Sequence, residues 1–255
     1  MIRVVFNRKG GVGKSSITCN LAAVAASQGA STLVVDLDTQ ANATSYLGHS
    51  GKDDVVGIAE FFESTLEYKY RDLAPKDFAR STPFENLSLI SACADLADLE
   101  QKLQSRHKIY KLKEFLNKLA DDFDYIFIDT PPALNFYSLS ALIAAQRCLI
   151  PFDCDAFSRD ALMDLMITLD EVKEDHNDQL MVEGIIINQF VGRAKVPQQA
   201  VDELKTSGLP ILEPYLSSSV KMKESHSCHK PLVYLDKKHK LTEQFVTLYQ
   251  QLQQL

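Results

Sequence analysis

Near the start of the chain stands Asn7-Arg8-Lys9-Gly10-Gly11-Val12-Gly13-Lys14-Ser15-Ser16, between an apolar run and a helical pattern. Gly10, Gly11 and Gly13 let a backbone approach an anion closely and turn through positive φ. The amides from Gly10 to Ser16, with the N-terminus of the helix that follows, can then surround a phosphate group. Lys14 can reach the β and γ phosphates of a nucleotide, and the Ser15 hydroxyl can ligate Mg2+. Four apolar runs end in polar residues, at Asn7, Asp36, Asp129 and Asn188. An aspartate after a strand can be no more than a helix N-cap. Beside a phosphate loop, Asp36, Asp38 and Asp129 point instead to metal and water roles. The chemistry in view is phosphoryl transfer, which needs positioning and charge neutralisation more than covalent catalysis.

Such groups need a scaffold that brings them together. The runs Ile2–Phe6, Thr32–Val35, Tyr125–Ile128, Cys148–Ile150 and Val182–Ile187 are rich in β-branched residues and lack polar alternation. They predict strands buried on both faces. A helix is predicted from Ser15 to Gln28, with Ile17, Leu21, Val24 and Ala25 at helical spacing and Gly29 as its stop. Leu96, Leu99, Leu103, Ile109, Leu112, Leu116 and Leu119 mark a second long pattern, open to a break. Strands alternating with helices predict an α/β fold: one open, mostly parallel sheet with helices on both faces, in a single domain over residues 1–255. In such a sheet ligands bind outside the carboxyl ends of the strands, where Asn7, Asp36, Asp129 and Asn188 converge. The least regular stretch, Asp53–Phe84, reads as an excursion on the surface. The last pattern, Leu241–Leu255, aligns Leu241, Phe245, Leu248, Tyr249, Leu252 and Leu255 on one stripe, with Gln and Thr opposite. A membrane-surface helix carries basic residues there, so docking on the domain's own sheet is expected.

Composition narrows the classes further. The chain has 255 residues, 45% hydrophobic and 24% charged, which excludes a disordered or collagen-like chain. A formal charge of −7 excludes a uniformly basic nucleic-acid binder but leaves room for a local patch. Residues 193–240 hold nine basic against five acidic residues, a net of +4, after an acidic stretch at 151–183. A DNA-phosphate surface with steep salt dependence and a plain solvated lysine face both fit that patch. No run approaches the ~18 apolar residues of a membrane span, and the first residues are strand-like rather than signal-like. The five cysteines are scattered without a CxxC pair, against a disulfide framework or structural zinc; a cytoplasmic protein is expected. Cys19 and Cys148 fall within apolar elements as core residues. His226, Cys228 and His229 are too closely spaced, and lack the second ligand pair, for a zinc site.

The loop departs from a strict GxxxxGKS/T pattern, since Arg8 stands at its first glycine position, and Lys9 adds a second lysine before the glycines. Lys9-Gly10-Gly11-Val12-Gly13-Lys14-Ser15 resembles the deviant Walker A loop of the ParA/MinD family of ATPases. Val34-Val35-Asp36-Leu37-Asp38-Thr39-Gln40-Ala41-Asn42 is similar to that family's second motif, and Ile126-Phe127-Ile128-Asp129-Thr130-Pro131-Pro132 to its Walker B and the opening of switch II. Ile185-Ile186-Ile187-Asn188 resembles the strand whose terminal asparagine contacts adenine. The likeness runs through Val220-Lys221-Met222-Lys223-Glu224-Ser225-His226.

The resemblance implies ATP and Mg2+ as ligands and a homodimer formed on ATP binding, in which Lys9 reaches the partner's ATP. It implies that Asp38 orients the attacking water, that Asp129 holds Mg2+ through water and that Asn188 meets the adenine. It implies non-specific DNA binding by the ATP dimer at Arg193 and Lys221, with Lys223 in the same patch, and stimulation by a ParB-like or cargo-adaptor protein. Asp155 matches a family acidic residue near the dimer face. The family usually writes Asp-Pro-Gln-Gly-Asn where this chain has Asp38-Thr39-Gln40-Ala41-Asn42, so the backbone there is less defined. Arg8, where glutamine is commoner, adds a cation near the dimer face. The expected function is a slow, partner-stimulated ATPase switch that positions plasmid or chromosome DNA, or a protein assembly, with the nucleoid as its track. No N-terminal DNA-reading domain is expected, because the loop begins at residue 9. The alternatives are a MinD-like membrane-cycling regulator and an ATP-dependent ligase of the cobyrinate or dethiobiotin synthetase type; a metal-cluster carrier would need paired cysteines.

Overall fold

The apolar runs become the strands of one sheet in this computed structural model, which describes residues 1–48, 56–67, 73–154 and 159–254. Strand β1 (Ile2–Val5) leads into helix α1 (Lys14–Ser27) and strand β2 (Thr32–Asp36). Helices α2 (Asn42–Tyr46) and α3 (Ile58–Leu66) and a 3-10 turn at Pro75–Phe78 precede β3 (Arg80–Ser81) and β4 (Leu87–Ile90). Next come α4 (Leu96–Ser105), α5 (Lys111–Asn117), β5 (Tyr125–Asp129), α6 (Phe136–Ala144), β6 (Arg147–Asp153), α7 (Arg159–Asp175) and β7 (Met181–Asn188). The chain continues through α8 (Lys195–Thr206), β8 (Ile211–Leu212), α9 (Val220–Ser227), α10 (Leu232–Leu235) and α11 (Lys240–Leu252). The eight strands lie in the order β3-β4-β2-β5-β1-β6-β7-β8, every pair parallel except β3 with β4.

Helices cover both faces, which is what strand runs without polar alternation encode. On one face Val5, Val34, Phe127, Leu149 and Ile186 pack with Ile17, Leu21 and Val24 of α1 and with Phe245, Leu248 and Tyr249 of α11. On the other, Val4, Leu33, Val35, Ile126, Ile128 and Ile150 pack with Phe62, Leu103, Leu116, Leu142 and Leu169. The apolar stripe of α11 is thus consumed against α1 and the sheet, as expected; Leu255 lies outside the described residues. Cys19 and Cys148 are both buried. The long leucine pattern breaks between α4 and α5 near His107, which takes a left-handed φ of 53°.

One expectation is overturned. The stretch Asp53–Phe84 is not a surface excursion where it is described: α3 buries Ile58 and Phe62 completely, and Phe61 stacks on Phe115 with Phe78 at its edge. A nine-residue helix is too short to show several helical periods, and its aromatic partner comes from α5, far along the chain. Residues 49–55 and 68–72 lie outside the described residues.

Away from the carboxyl ends of the strands, Arg3 of β1 reaches across β6 to Glu183 of β7. Its Nε and Nη2 donate to the two carboxylate oxygens at 2.8 Å each, and both side chains are almost wholly buried. Nη2 also donates to the Leu252 carbonyl at 3.1 Å, and the guanidinium lies 5.3 Å from the Tyr125 ring centre. The pair therefore fastens the end of α11 to the sheet. Removing one partner strands a buried charge, so Glu183→Ala should lower the unfolding free energy by about 3–5 kcal/mol in urea denaturation. A loss below about 1 kcal/mol, the value of a solvated pair, would contradict this role.

Candidate functional site

Strand register places Asp36 directly beside Asp129, with Val5 of β1 on the other side of Asp129. The loop that leaves β1 is held at its root by Asn7. Its Nδ2 donates to the Pro151 carbonyl at 2.7 Å and its Oδ1 accepts the Lys9 amide at 2.9 Å. The loop turns through Gly11 and Gly13 at φ of 78° and 92°, a region that side chains resist. Space is a second constraint at Gly13, where a Cβ would stand 2.3 Å from Nδ2 of Asn188. That nitrogen donates to the Val12 carbonyl at 2.9 Å, so the end of β7 pins the loop from another side.

Helix α1 starts directly after the loop, with Gly13 at its N-cap, no capping side chain and no acidic residue in its first turn. Its leading N–H groups and its dipole are therefore left for an anion. Lys14 is buried, and its Nζ donates to the Lys9 carbonyl at 2.9 Å. Burial lowers the pKa of this ammonium group, against the pull of the Asp129 and Asp38 carboxylates. Ser15, Ser16 and Gly10 to Val12 complete the loop around this point.

The two neighbouring aspartates are alike in sequence context and unlike in environment. Asp36 Oδ1 accepts the Asp38 amide at 3.0 Å, and Oδ2 accepts the Thr44 amide and hydroxyl at 2.8 Å each. Burial outweighs these bonds and pushes the Asp36 carboxyl up to about 6. Among the described residues, neither oxygen of the buried Asp129 has a hydrogen-bond partner within bonding distance. Its pKa is raised well above the ordinary carboxylate value by burial first and the Asp36 charge second, with the Ser15 hydroxyl and the Lys14 ammonium opposing. Unpartnered buried oxygens beside a serine hydroxyl fit a hard cation. Among the described residues no three His, Cys, Asp or Glu side chains converge into a metal cage. Mg2+ needs none, since it commonly uses one or two protein oxygens together with substrate phosphates and water.

Asp38 is also buried, and its Oδ1 accepts the Gln40 amide at 3.0 Å. The turn that the sequence left undefined, without proline or glycine, is formed nonetheless: Ala41 N donates to the Asp38 carbonyl at 2.8 Å. Ala41 takes φ of 52°, a left-handed conformation that costs a residue with a Cβ roughly 1–2 kcal/mol.

Alongside the loop opens a cavity of about 370 Å3, whose lining includes Gly11, Gly13, Ser16, Asn188, Lys223 and His226. His226 Nε2 stands 2.8 Å from Ser16 Oγ, and its ring stacks on Tyr46 at 4.0 Å. No motif or spacing in the sequence flags Tyr46 or unites it with His226. A second depression, of about 260 Å3, is lined by Arg8, Lys9 and Ala161, Asp164 and Leu165 of α7. Arg8 donates to the Thr168 hydroxyl on the same helix.

The basic residues of the expected DNA patch are dispersed over two elements. Arg193 is exposed just before α8, while Lys221 and Lys223 lie on α9. Lys221 pairs with Glu224 at 2.9 Å and Asp236 at 3.8 Å, and Lys223 belongs to the wall of the cavity. His229, in the dismissed zinc cluster, has its Nδ1 2.6 Å from the Ser45 carbonyl. Asp155 lies outside the described residues.

Comparison with known proteins bears on the family and the fold. A family model described as an AAA domain matches residues 1–182. The chain is 34% identical to the chromosome partitioning protein ParA of Myxococcus xanthus, over 97% of this chain and 86% of the relative. It is 30% identical to the sporulation initiation inhibitor protein Soj of Bacillus subtilis, over 97% of this chain and 96% of the relative. Among solved structures, the cobyrinic acid a,c-diamide synthase of Mycobacterium smegmatis with bound ADP and magnesium superposes with a TM-score of 0.84 at 26% identity, covering 99% of this chain and 94% of the other.

The electrostatics make one test direct. A raised carboxyl stabilises the folded state while protonated and loses that contribution as pH rises through its folded pKa. Without divalent cations, Asp129→Asn should therefore melt above the parent protein, by a gap that widens as pH rises from about 4 through about 6, where Asp36 titrates. Added Mg2+ with ADP should raise the melting temperature of the parent and not of the variant. A variant that melts below the parent across that range would contradict the frustrated carboxylate pair.

Proposed function

The chain belongs to the ParA/MinD family of ATPases, and from that premise we propose that it is a dimeric ATP-driven switch that positions or segregates cargo. The observation that carries this reading is the buried Lys14 beside the unpartnered Asp129, at the uncapped start of α1. That array is electrostatically incomplete without a polyanion and a cation. Lys14 and the amides of Gly10 to Ser16 neutralise and hold the β and γ phosphates. Ser15 and Asp129 hold Mg2+, with the Asp36 charge beside them. When bound, that ion neutralises phosphate oxygens and aligns the terminal phosphoryl group. The Asp38 carboxylate accepts a hydrogen bond from the attacking water and sets its line of approach. Asn188 and the neighbouring cavity receive the adenine end.

Lys9 supplies the remaining cation to the ATP of a second copy. A cation supplied in trans contributes about 10³–10⁵ in rate, so hydrolysis is slow in the lone subunit and rises when dimerisation and an activator order the site. The activator is a ParB-like or cargo-adaptor protein. Arg193, Lys221 and Lys223 give the ATP dimer a non-specific hold on DNA, which associates a cytoplasmic protein with the nucleoid. DNA phosphates compete there with Glu224 and Asp236 for Lys221, so retention falls with salt, by a log–log slope of about −0.9 per phosphate contact.

Two other readings stay testable. The likeness to a diamide synthase with ADP and magnesium favours a ligase as the second; a ligase releases ADP only when its acceptor is present. The membrane-cycling reading is disfavoured by the burial of the α11 stripe, and no helix among the described residues is long and apolar enough to cross a membrane.

Two inactive proteins, Lys9→Ala and Asp38→Ala, should regain ATP hydrolysis when mixed, because one active site of the mixed dimer keeps both groups. Dimers that form without rescue would place the chemistry within one subunit. Arg193→Glu combined with Lys221→Glu should abolish ATP-dependent DNA retention and leave ATP binding intact; retention unchanged by this pair would remove the patch from the mechanism.

A further inference from the structure

His226 lies 210 residues from Ser16, yet its Nε2 stands 2.8 Å from the Ser16 hydroxyl in the first turn of α1. The ring is braced on its face by Tyr46, with planes 17° apart. Tyr46 is itself fixed by a chain of donors. Asn20 Nδ2 donates to the Tyr46 hydroxyl at 3.0 Å, that hydroxyl meets Ser225 Oγ, and Ser225 Oγ donates to the Lys230 carbonyl. Asn20 Oδ1 accepts the Leu232 amide at 2.9 Å. The imidazole edge is thus presented at a set point on the cavity wall, against a hydroxyl in the first turn of the helix that follows the loop.

A serine hydroxyl has one hydrogen to give. If Ser16 donates it to His226, none is left for an oxyanion in the loop. If Nε2–H donates to Ser16 Oγ, the serine hydrogen is free to turn towards a phosphate oxygen. We propose that His226 is a nucleotide-positioning residue, whose Nε2–H donates to Ser16 Oγ and directs the Ser16 hydroxyl onto a phosphate held by the loop. This rests on the nucleotide site proposed above and adds to it a residue of α9. The side chain acts through Ser16 and takes no part in bond breaking.

Binding of ADP with Mg2+ is measured by calorimetry for the parent, His226→Gln and His226→Leu, with Lys14→Ala as the site control. Glutamine keeps a side-chain N–H that can reach Ser16; leucine fills the space without a donor. Losing the neutral Nε2–H that holds the Ser16 hydroxyl in line weakens binding of His226→Leu roughly five-fold, while His226→Gln stays within about two-fold of the parent. In parallel, 15N NMR of the histidine-labelled parent should show the His226 Nε2 carrying its hydrogen in the complex. Equal affinity of the parent and His226→Leu, or a bare lone pair on Nε2 in the complex, overturns the proposal. The resonance is read on the unaltered chain, so it decides even where a variant fails to fold. A parent that does not bind ADP with Mg2+, or a Lys14→Ala protein that binds as tightly, sinks the nucleotide site itself and is distinguishable from failure at His226 alone.

Discussion

Two carboxylates and an ammonium group are buried together at the carboxyl edge of β2 and β5, next to a helix end that nothing caps. Taking such charges out of water is unfavourable unless each finds a partner, and neither Asp129 oxygen accepts a hydrogen bond among the described residues. The surrounding structure is organised around that imbalance. Thr44 and the Asp38 amide support Asp36, Gly11 and Gly13 open the loop, and Asn7 and Asn188 hold it from two strands. Perturbed titratable groups gathered in this way mark a candidate functional site.

Stability is supplied elsewhere. The Arg3–Glu183 pair, the aromatic cluster around Phe61 and the α11 stripe all lie away from the strands' carboxyl ends or on the faces of the sheet. The loop, the turn at Asp38–Ala41 and the α9 wall gather instead at or beside those ends. The matched family model stops at residue 182, but the cavity is closed by Ser217–Ser219, Met222, Lys223, His226 and Leu241. The last quarter of the chain therefore contributes a wall of the cavity beside the loop as well as a face of the fold.

Among the elements, the strands and α1 were legible because their signals are local. A buried parallel strand shows as a continuous apolar run, and a glycine-rich turn followed by Lys-Ser leaves few other uses. The break at His107 could be suspected but not located, since leucine spacing survives across it. Helix α3 was missed because one buried face over nine residues looks like an irregular loop until Phe78 and Phe115 are known to cover it.

What the chain determined by itself was the phosphate loop, the strand-end aspartates and the layered α/β order, since each depends on residues adjacent in sequence or on a short period. Only the tertiary structure separated Asp36, whose oxygens accept three donors, from Asp129, whose oxygens accept none among the described residues. It alone brought Arg3 to Glu183, and His226 to Ser16 and Tyr46. These pairings join residues about 180 to 210 positions apart. Burial and strand register choose such partners, and neither leaves a trace in the spacing of covalent neighbours.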